Sequence, residues 1–339
     1  MNLSDLLNFG SQASKLTPGR TQFTLRNTVI EHTTFCAAIR EIARLHFRGV
    51  EAGVSEGLLL VAQTGSGKTT ALQHYASIFP REQTVEGTRV QVLLVITPES
   101  PTVKALAEAI LVTMGDPAAH RGTTQLKTRR IIHFFKTCGV RMLLIDEFQH
   151  FFDGHRTSES RRIADWLKNL LNVVNVPVVL AGLPRSIAVI NANPQLRRRF
   201  SSPYYMRPFG FSSRDEQLEF RGLLKKIHSR IPIPCPALHE ANLSRRFFYA
   251  TNGLIDYIFK IADEAVSRAT ESAGACITLE TFARAFETAV WRDAPKELNP
   301  FSESAQLRHL TRPGEPFDIW DDPINYGAAH LRKKTVKNA

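Results

Sequence analysis

Apolar residues in this chain follow two alternating patterns. Four short apolar runs, at 57–62, 90–96 (VQVLLVI), 141–145 and 176–181 (VPVVLA), are too brief for helices, and most end at small residues or carboxylates. They predict strands buried on both faces. Between them, apolar residues recur at helical spacing over Lys68–Ile78, Pro101–Met114, Thr123–Thr137 and Ser160–Val174. In the last of these, Ile163, Leu167, Leu170, Leu171 and Val174 share one face. A further helix over about Thr34–His46 precedes the first strand, with Phe35, Ala38, Ile39, Ile42 and Leu45 periodic. Strands alternating with helices predict an α/β fold, a parallel sheet covered by helices. After about residue 210 only helical periodicity continues, clearest at Asp256–Val266 and Thr278–Val290, with a proline-punctuated connector at Arg230–Pro236. Four parts are expected: an N-terminal extension (1–28), an α/β core (29–210), a small helical domain (211–293) and an extended C-terminal tail (294–339). The tail is rich in proline, and its acidic-aromatic stretch Phe317–Asp322 is a candidate partner hook.

A formal net charge of +11 favours a polyanionic partner, nucleic acid or a membrane surface. No apolar run reaches the roughly 18 residues needed to span a bilayer, which shifts the balance to nucleic acid. Met1–Asp5 lack a basic segment leading into an apolar one, so a cytoplasmic protein is expected. Cys36, Cys138, Cys235 and Cys276 are too scattered for a zinc site and read as reduced thiols.

The candidate chemistry begins at Ala62-Gln-Thr-Gly-Ser-Gly-Lys-Thr69, between a predicted strand and a predicted helix. That is the context of a phosphate-binding P-loop. Its glycines let successive backbone N–H groups turn toward phosphate oxygens, and the helix N-terminus adds positive potential. Thr64, Gly65, Ser66, Gly67, Lys68, Thr69 and Thr70 are the expected ATP contacts, with Lys68 reaching the β- and γ-phosphates and Thr69 a Mg²⁺ ligand. Ala62 stands where the usual pattern has glycine. A second apolar strand delivers Asp146 and Glu147 at its C-terminal end, the ligand edge of an open α/β sheet. Asp146 is expected to hold Mg²⁺ and Glu147 to polarise the attacking water. A carboxylate in that role argues for hydrolysis over transfer to a second metabolite, so a small-molecule kinase is the weaker reading.

The order of these elements resembles an AAA+ P-loop core followed by a helical lid. More narrowly, Ile-Asp-Glu-Phe-Gln-His150, Leu-Ala-Gly-Leu-Pro184, Gln195-Leu-Arg-Arg-Arg-Phe200 and Val29-Ile-Glu-His-Thr-Thr-Phe35 resemble the TniB/TnsC family of transposition regulators over about residues 25–290. The resemblance implies an ATPase that assembles as a ring or helical homo-oligomer on duplex DNA. It implies recruitment of a transposase, loading by a TniQ-type target selector, and disassembly on hydrolysis. It also implies an arginine supplied to each ATP site by the neighbouring subunit, which stabilises transition-state charge. Arg197, Arg198 and Arg199 match that position, Arg198 and Arg199 foremost. No polar sensor is evident at the end of the strand before Gly182, and Asp256 falls where many AAA+ lids carry a sensor arginine. A slow ATPase used as a switch is therefore expected.

From Pro117 to Ile145 the chain has no acidic residue but carries Arg121, Lys127, Arg129, Arg130, Lys136 and Arg141. Lys104, Arg121, Lys127 and Arg130 are the expected DNA contacts, Lys104 by its resemblance to channel-lining residues of the family. No base-reading motif is present, so binding should be largely independent of sequence and strongly dependent on salt. Two alternatives remain at this point: an AAA+ ATPase of another pathway, such as a helicase loader or secretion ATPase, and a non-catalytic nucleotide-gated scaffold.

Overall fold

The computed structural model describes residues 23–318 apart from 27, 54, 86, 100–101, 152–156, 192, 201 and 272–275, and apart from the side chains of 157, 158, 160 and 189. The core opens with helix α1 (Thr33–Ala52), followed by β1 (Gly57–Ala62), α2 (Lys68–Ser77) and a small antiparallel hairpin, β2 (Glu82–Thr84) and β3 (Gly87–Arg89). It continues through β4 (Val92–Ile96), α3 (Val103–Met114), α4 (Thr124–Thr137), β5 (Met142–Asp146) and a 3-10 turn at Phe148–Phe151. Helix α5 (Thr157–Val174), β6 (Val178–Gly182), the short helices α6 (Ser186–Asn191) and α7 (Pro194–Arg197), and β7 (Tyr204–Met206) complete it. Five strands form one parallel sheet in the order β4-β5-β6-β1-β7.

The unbroken apolar runs are explained by burial on both faces of this sheet. Along β1, Leu59 and Val61 enter one core while Leu58, Leu60 and Ala62 enter the other. Along β5, Leu143 and Ile145 face the first core, and Met142 and Leu144 the second. All sheet strands run the same way, so the C-terminal ends of β1, β5 and β6 lie along one edge. That edge receives the loops after Ala62, Asp146 and Gly182.

The helical domain comprises α8 (Arg214–His228), α9 (Ala241–Thr251), α10 (Ile255–Glu271) and α11 (Leu279–Ala289) around its own apolar core. Ser213 opens α8 with a reciprocal capping box to Glu216. Both flanking segments are docked on this domain. At the N-terminal side, Leu25 and Ile30 are buried in its core, and Asp263 accepts hydrogen bonds from Thr24 Oγ1 and Leu25 N, each 2.8 Å. At the C-terminal side, the expectation of an extended tail needs correction for 294–318. This stretch has little regular structure, yet Phe301, Leu310 and Phe317 are buried against the helices. Asn299, also buried, ties it down through Ala283 O at 2.9 Å. Scattered large side chains do the anchoring, each contributing about 2 kcal/mol on burial, and such anchors leave no periodic trace. Phe317 packs edge-on against Tyr257, so it is not free to serve as the expected hook; the rest of that hook, from 319, lies outside the described residues. No helix among the described residues is long and apolar enough to cross a membrane.

His32 sits at the joint between core and helical domain. Its Nδ1 caps α1 by accepting from Phe35 N at 3.3 Å, and its ring packs 5.0 Å from Phe209. Burial, with the Lys226 charge as a smaller cause, lowers its pKa from 6.5 to about 4. The neutral ring is required, because a protonated Nδ1 cannot accept the capping bond. Above pH 6.5 neither folded nor unfolded chain holds the proton. As pH falls from 6.5 to 4 only the unfolded chain gains it, so stability is lost across that window, by up to about 3 kcal/mol. Thermal melts of wild type and His32→Gln between pH 7 and 5 should show a steeper pH slope for wild type. Equal slopes would remove His32 from this role.

Candidate nucleotide site and nucleic-acid surface

Between β1 and α2 the backbone turns through Gly65 (φ 81°) and Gly67 (φ 87°), both in the left-handed region that glycine tolerates. Ala62 is the last residue of β1, paired in register with Met206, so no glycine is needed there. Ser66 Oγ is buried in the loop with no partner, and Lys68 is only 6% exposed. An unpartnered hydroxyl and a buried ammonium in a glycine-turned loop that opens a helix fit an anionic phosphate ligand.

One strand away across β6, the end of β5 presents its two carboxylates. Asp146, nearly fully buried, accepts from Thr69 Oγ1 at 2.6 Å and from Glu147 N at 2.8 Å. Burial raises its pKa, against the opposing hydrogen bonds of Thr69 and Glu147 N. A hydroxyl and a carboxylate converging beside a P-loop are hard oxygen donors of the kind Mg²⁺ takes. The Asp146 carbonyl is fixed from β4 by Thr97, whose N and Oγ1 donate at 3.0 and 2.7 Å. Glu147 follows with φ 55°, an unusual conformation for a non-glycine residue and one that marks functional turns. Its Oε1 lies 4.0 Å from Lys68 Nζ, and its Oε2 receives a hydrogen bond from Gln149 Nε2 and lies 3.9 Å from His150 Nε2. Thr97 escaped the sequence reading, and Gln149 entered it only as part of the Ile-Asp-Glu-Phe-Gln-His150 match, with no role of its own.

The helical domain reaches the same loop. Asp256 N donates to Gly65 O at 3.1 Å, and a β-carbon on Gly65 would lie 3.2 Å from Asp256 Cβ. Asp256 is not a lone acid there: Lys260 Nζ is 2.8 Å from one carboxylate oxygen and Arg26 3.6 Å from the other.

A family model described as "Bacterial TniB protein" matches residues 20–207, more than half of the chain. The chain belongs to the TniB family. Comparison with curated proteins gives no match. Among solved structures, this TniB chain is similar in fold to the ORC2 protein of Aeropyrum pernix, solved as ADPNP–ADP complexes, with TM-score 0.60 and 13% identity over 79% of this chain and 71% of that one. It is also similar to CDC6P of Pyrobaculum aerophilum, with TM-score 0.59 and 12% identity over 80% and 72%. The A. pernix ORC1 protein, solved in complex with DNA, gives 0.54 and 16% over 76% and 65%. The TniB chain thus has the AAA+ ATPase fold: a parallel sheet with covering helices and a helical domain that takes the place of the lid.

The three arginines of the TniB chain lie far from its own P-loop. Arg199 O accepts from Gly57 N at 2.7 Å, at the start of β1, whereas the P-loop follows the end of that strand. Six residues of strand separate the two by about 20 Å. Arg199 is held within its own subunit by Ser55 O and Ser55 Oγ, at 3.3 and 3.2 Å, and by Asn172 Oδ1. That sets it behind its neighbours as a donor to another molecule. Arg197 and Arg198 are exposed.

The expected DNA contacts divide likewise. Lys127 is completely buried, donating to Glu108 Oε2 at 3.0 Å and to the Ala119 carbonyl. Hydrogen bonds from His120 and Lys127 hold the Glu108 carboxyl below its usual range. Lys127 is a structural cation and cannot touch a nucleic acid in this fold. Arg130 is paired with Asp116, just outside the acid-free stretch, and bonds Ala118 O at 2.9 Å. Lys104 and Arg121 remain exposed. Arg129, His133 and Lys136 form an exposed stripe on α4 at i, i+4 and i+7, with no ion-pair partner among the described residues.

Proposed function

We propose that this protein is an ATP-dependent regulator of transposition. On this reading it oligomerises on duplex DNA, links a TniQ-type target selector to a transposase, and disassembles when it hydrolyses ATP. The observation that carries the reading is the split of the catalytic parts between the two ends of β1. Lys68, Thr69, Asp146 and Glu147 converge at one end. The exposed Arg198 lies at the other, within reach only of a different subunit. Membership of the TniB family supports the pathway, and the exposed cations of α3 and α4 support the polyanion.

The P-loop amides and Lys68 bind and orient the phosphates, and Glu147 takes the proton of the water that attacks the γ-phosphorus. The bond from that phosphorus to the ADP oxygen breaks, and the charge that gathers there is met by Arg198 of a neighbour. A magnesium ion held by Thr69 and Asp146 would offset phosphate charge. The polar link at Glu147 weighs against a non-catalytic scaffold.

Electron microscopy with duplex DNA, low salt and a non-hydrolysable ATP analogue should show rings or filaments; absence of any assembly would sink the reading. The salt dependence of binding separates the cations. Arg129→Ala with Lys136→Ala should flatten the log–log salt slope by about one for each phosphate that the protein no longer neutralises. Lys127→Met should leave the slope intact and lower the melting temperature.

A further inference from the structure

We propose that Gln149 is a positioning residue for Glu147, tying the end of β6 to the carboxylate that receives the proton. The proposal rests on the hydrolytic reading above and adds the part that the sequence lacked, a polar connection between the β6 terminus and the reaction centre.

Gln149 is buried in the 3-10 turn that follows β5. That turn is closed by His150 N donating to Glu147 O at 3.1 Å and is anchored by Phe148 and Phe151, both buried, with ring centroids 5.0 Å apart. Both ends of the Gln149 amide are engaged. Nε2 donates to Glu147 Oε2, and Oε1 accepts from Leu183 N at 3.1 Å. The amide has one workable orientation. Rotating it by half a turn would set NH₂ against the Leu183 N–H and a carbonyl against a carboxylate, two opposed pairs at once. The approach of β6 is equally constrained. A β-carbon at Gly182 would fall 2.2 Å from Ser186 Oγ, 2.8 Å from Gln149 Oε1 and 3.2 Å from Gln149 N, so only glycine lets the strand end come this close.

Glu147 is therefore held from two sides, by Gln149 on Oε2 and by Lys68, 4.0 Å from Oε1. Ligand phosphates would draw Lys68 to themselves, leaving the Oε2 side as the restraint on the carboxylate, with Gln149 hydrogen-bonded there and His150 Nε2 3.9 Å away. In this arrangement a polar side chain on β6 is unnecessary. The Leu183 N–H reports the position of the strand end, and the Gln149 amide transmits it to the base. A base that must meet a water within about 3 Å is sensitive to such orientation.

Two variants separate positioning from mere satisfaction of a buried N–H. Gln149→Met keeps the length and removes both hydrogen bonds. Gln149→Glu keeps an acceptor for Leu183 N and removes the donor to Glu147. If Gln149 positions the base, both variants lose at least about tenfold in kcat, while KM for ATP stays within about threefold of wild type. If it only satisfies Leu183, Gln149→Glu restores the rate and Gln149→Met does not, and the proposal is overturned. It is equally overturned if both variants turn over at the wild-type rate, or if kcat falls only in step with melting temperature. Glu147→Gln, assayed alongside, distinguishes the two levels of inference. Full activity in that variant removes the hydrolytic reading itself, whereas an inactive Glu147→Gln beside fully active Gln149 variants removes only the role of Gln149.

Discussion

Glu147→Gln should slow ATP hydrolysis by about two to four orders of magnitude, the range expected when a general base is removed. The substitution is close to silent structurally. Glutamine keeps the length of the side chain and can still accept from Gln149 Nε2 through its carbonyl oxygen. What it loses is the capacity to take a proton and the charge 4.0 Å from Lys68. Affinity for ATP should hold or tighten slightly, since one negative charge is withdrawn from beside the phosphates. Assemblies on DNA should persist longer in ATP by a factor that follows the loss in rate. Phosphate release and the decay of DNA-bound oligomer, followed in the same samples, check both statements. Assemblies that dissolve at the wild-type rate while hydrolysis is blocked would show that hydrolysis does not time release.

Arg198→Ala should lower hydrolysis in the assembled state by about 10³-fold, the lower end of what an arginine supplied in trans contributes to phosphoryl transfer. It should leave the nucleotide affinity of the dispersed protein unchanged, because Arg198 lies at the opposite end of β1 from its own P-loop. Mixing supplies the stringent test. Arg198→Ala subunits carry intact Glu147, and Glu147→Gln subunits carry intact Arg198. An interface in which an Arg198→Ala subunit receives its arginine from a Glu147→Gln subunit therefore contains a complete site, and a mixture of two nearly inactive proteins should regain part of the wild-type activity. No recovery at any mixing ratio would show that Arg198 does not act across an interface. Arg199→Ala serves as contrast. It cuts the bonds to Ser55 and Asn172 and should show first as lost stability.

Most of the sheet is legible in the sequence, because a strand buried on both faces leaves an unbroken apolar run. The P-loop was legible because its chemistry is local, carried by successive residues. The edge strand β7 was not, since Tyr204–Met206 is three residues long and exists only by pairing with β1. Lys127 shows how charge counting misleads. It shares the buried face of α4 with Ile131 and Phe135 at four-residue spacing, and its partners Glu108 and Ala119 come from another helix and a loop. Its charge argued for outside, the four-residue spacing with Ile131 and Phe135 went unread, and only the fold could bring the acid that reconciles the two. The role of Gln149 was hidden for a related reason, since its partner Leu183 is 34 residues away and the bond uses a backbone N–H.

The placement of Arg198 and the P-loop at opposite ends of one strand has a geometric corollary for the proposed assembly. Subunits that meet head to tail, each giving an arginine to one neighbour and receiving one from the other, form either a closed ring or an open helix. In an open helix the two terminal subunits are unlike. One has a nucleotide site that nobody completes, and the other has an arginine with nowhere to go. Such a polymer has polarity. Every interface along the array still holds one complete site, so the arginine-starved site, which belongs to no interface, is the one expected to keep its ATP longest and to mark one end of the DNA-bound array.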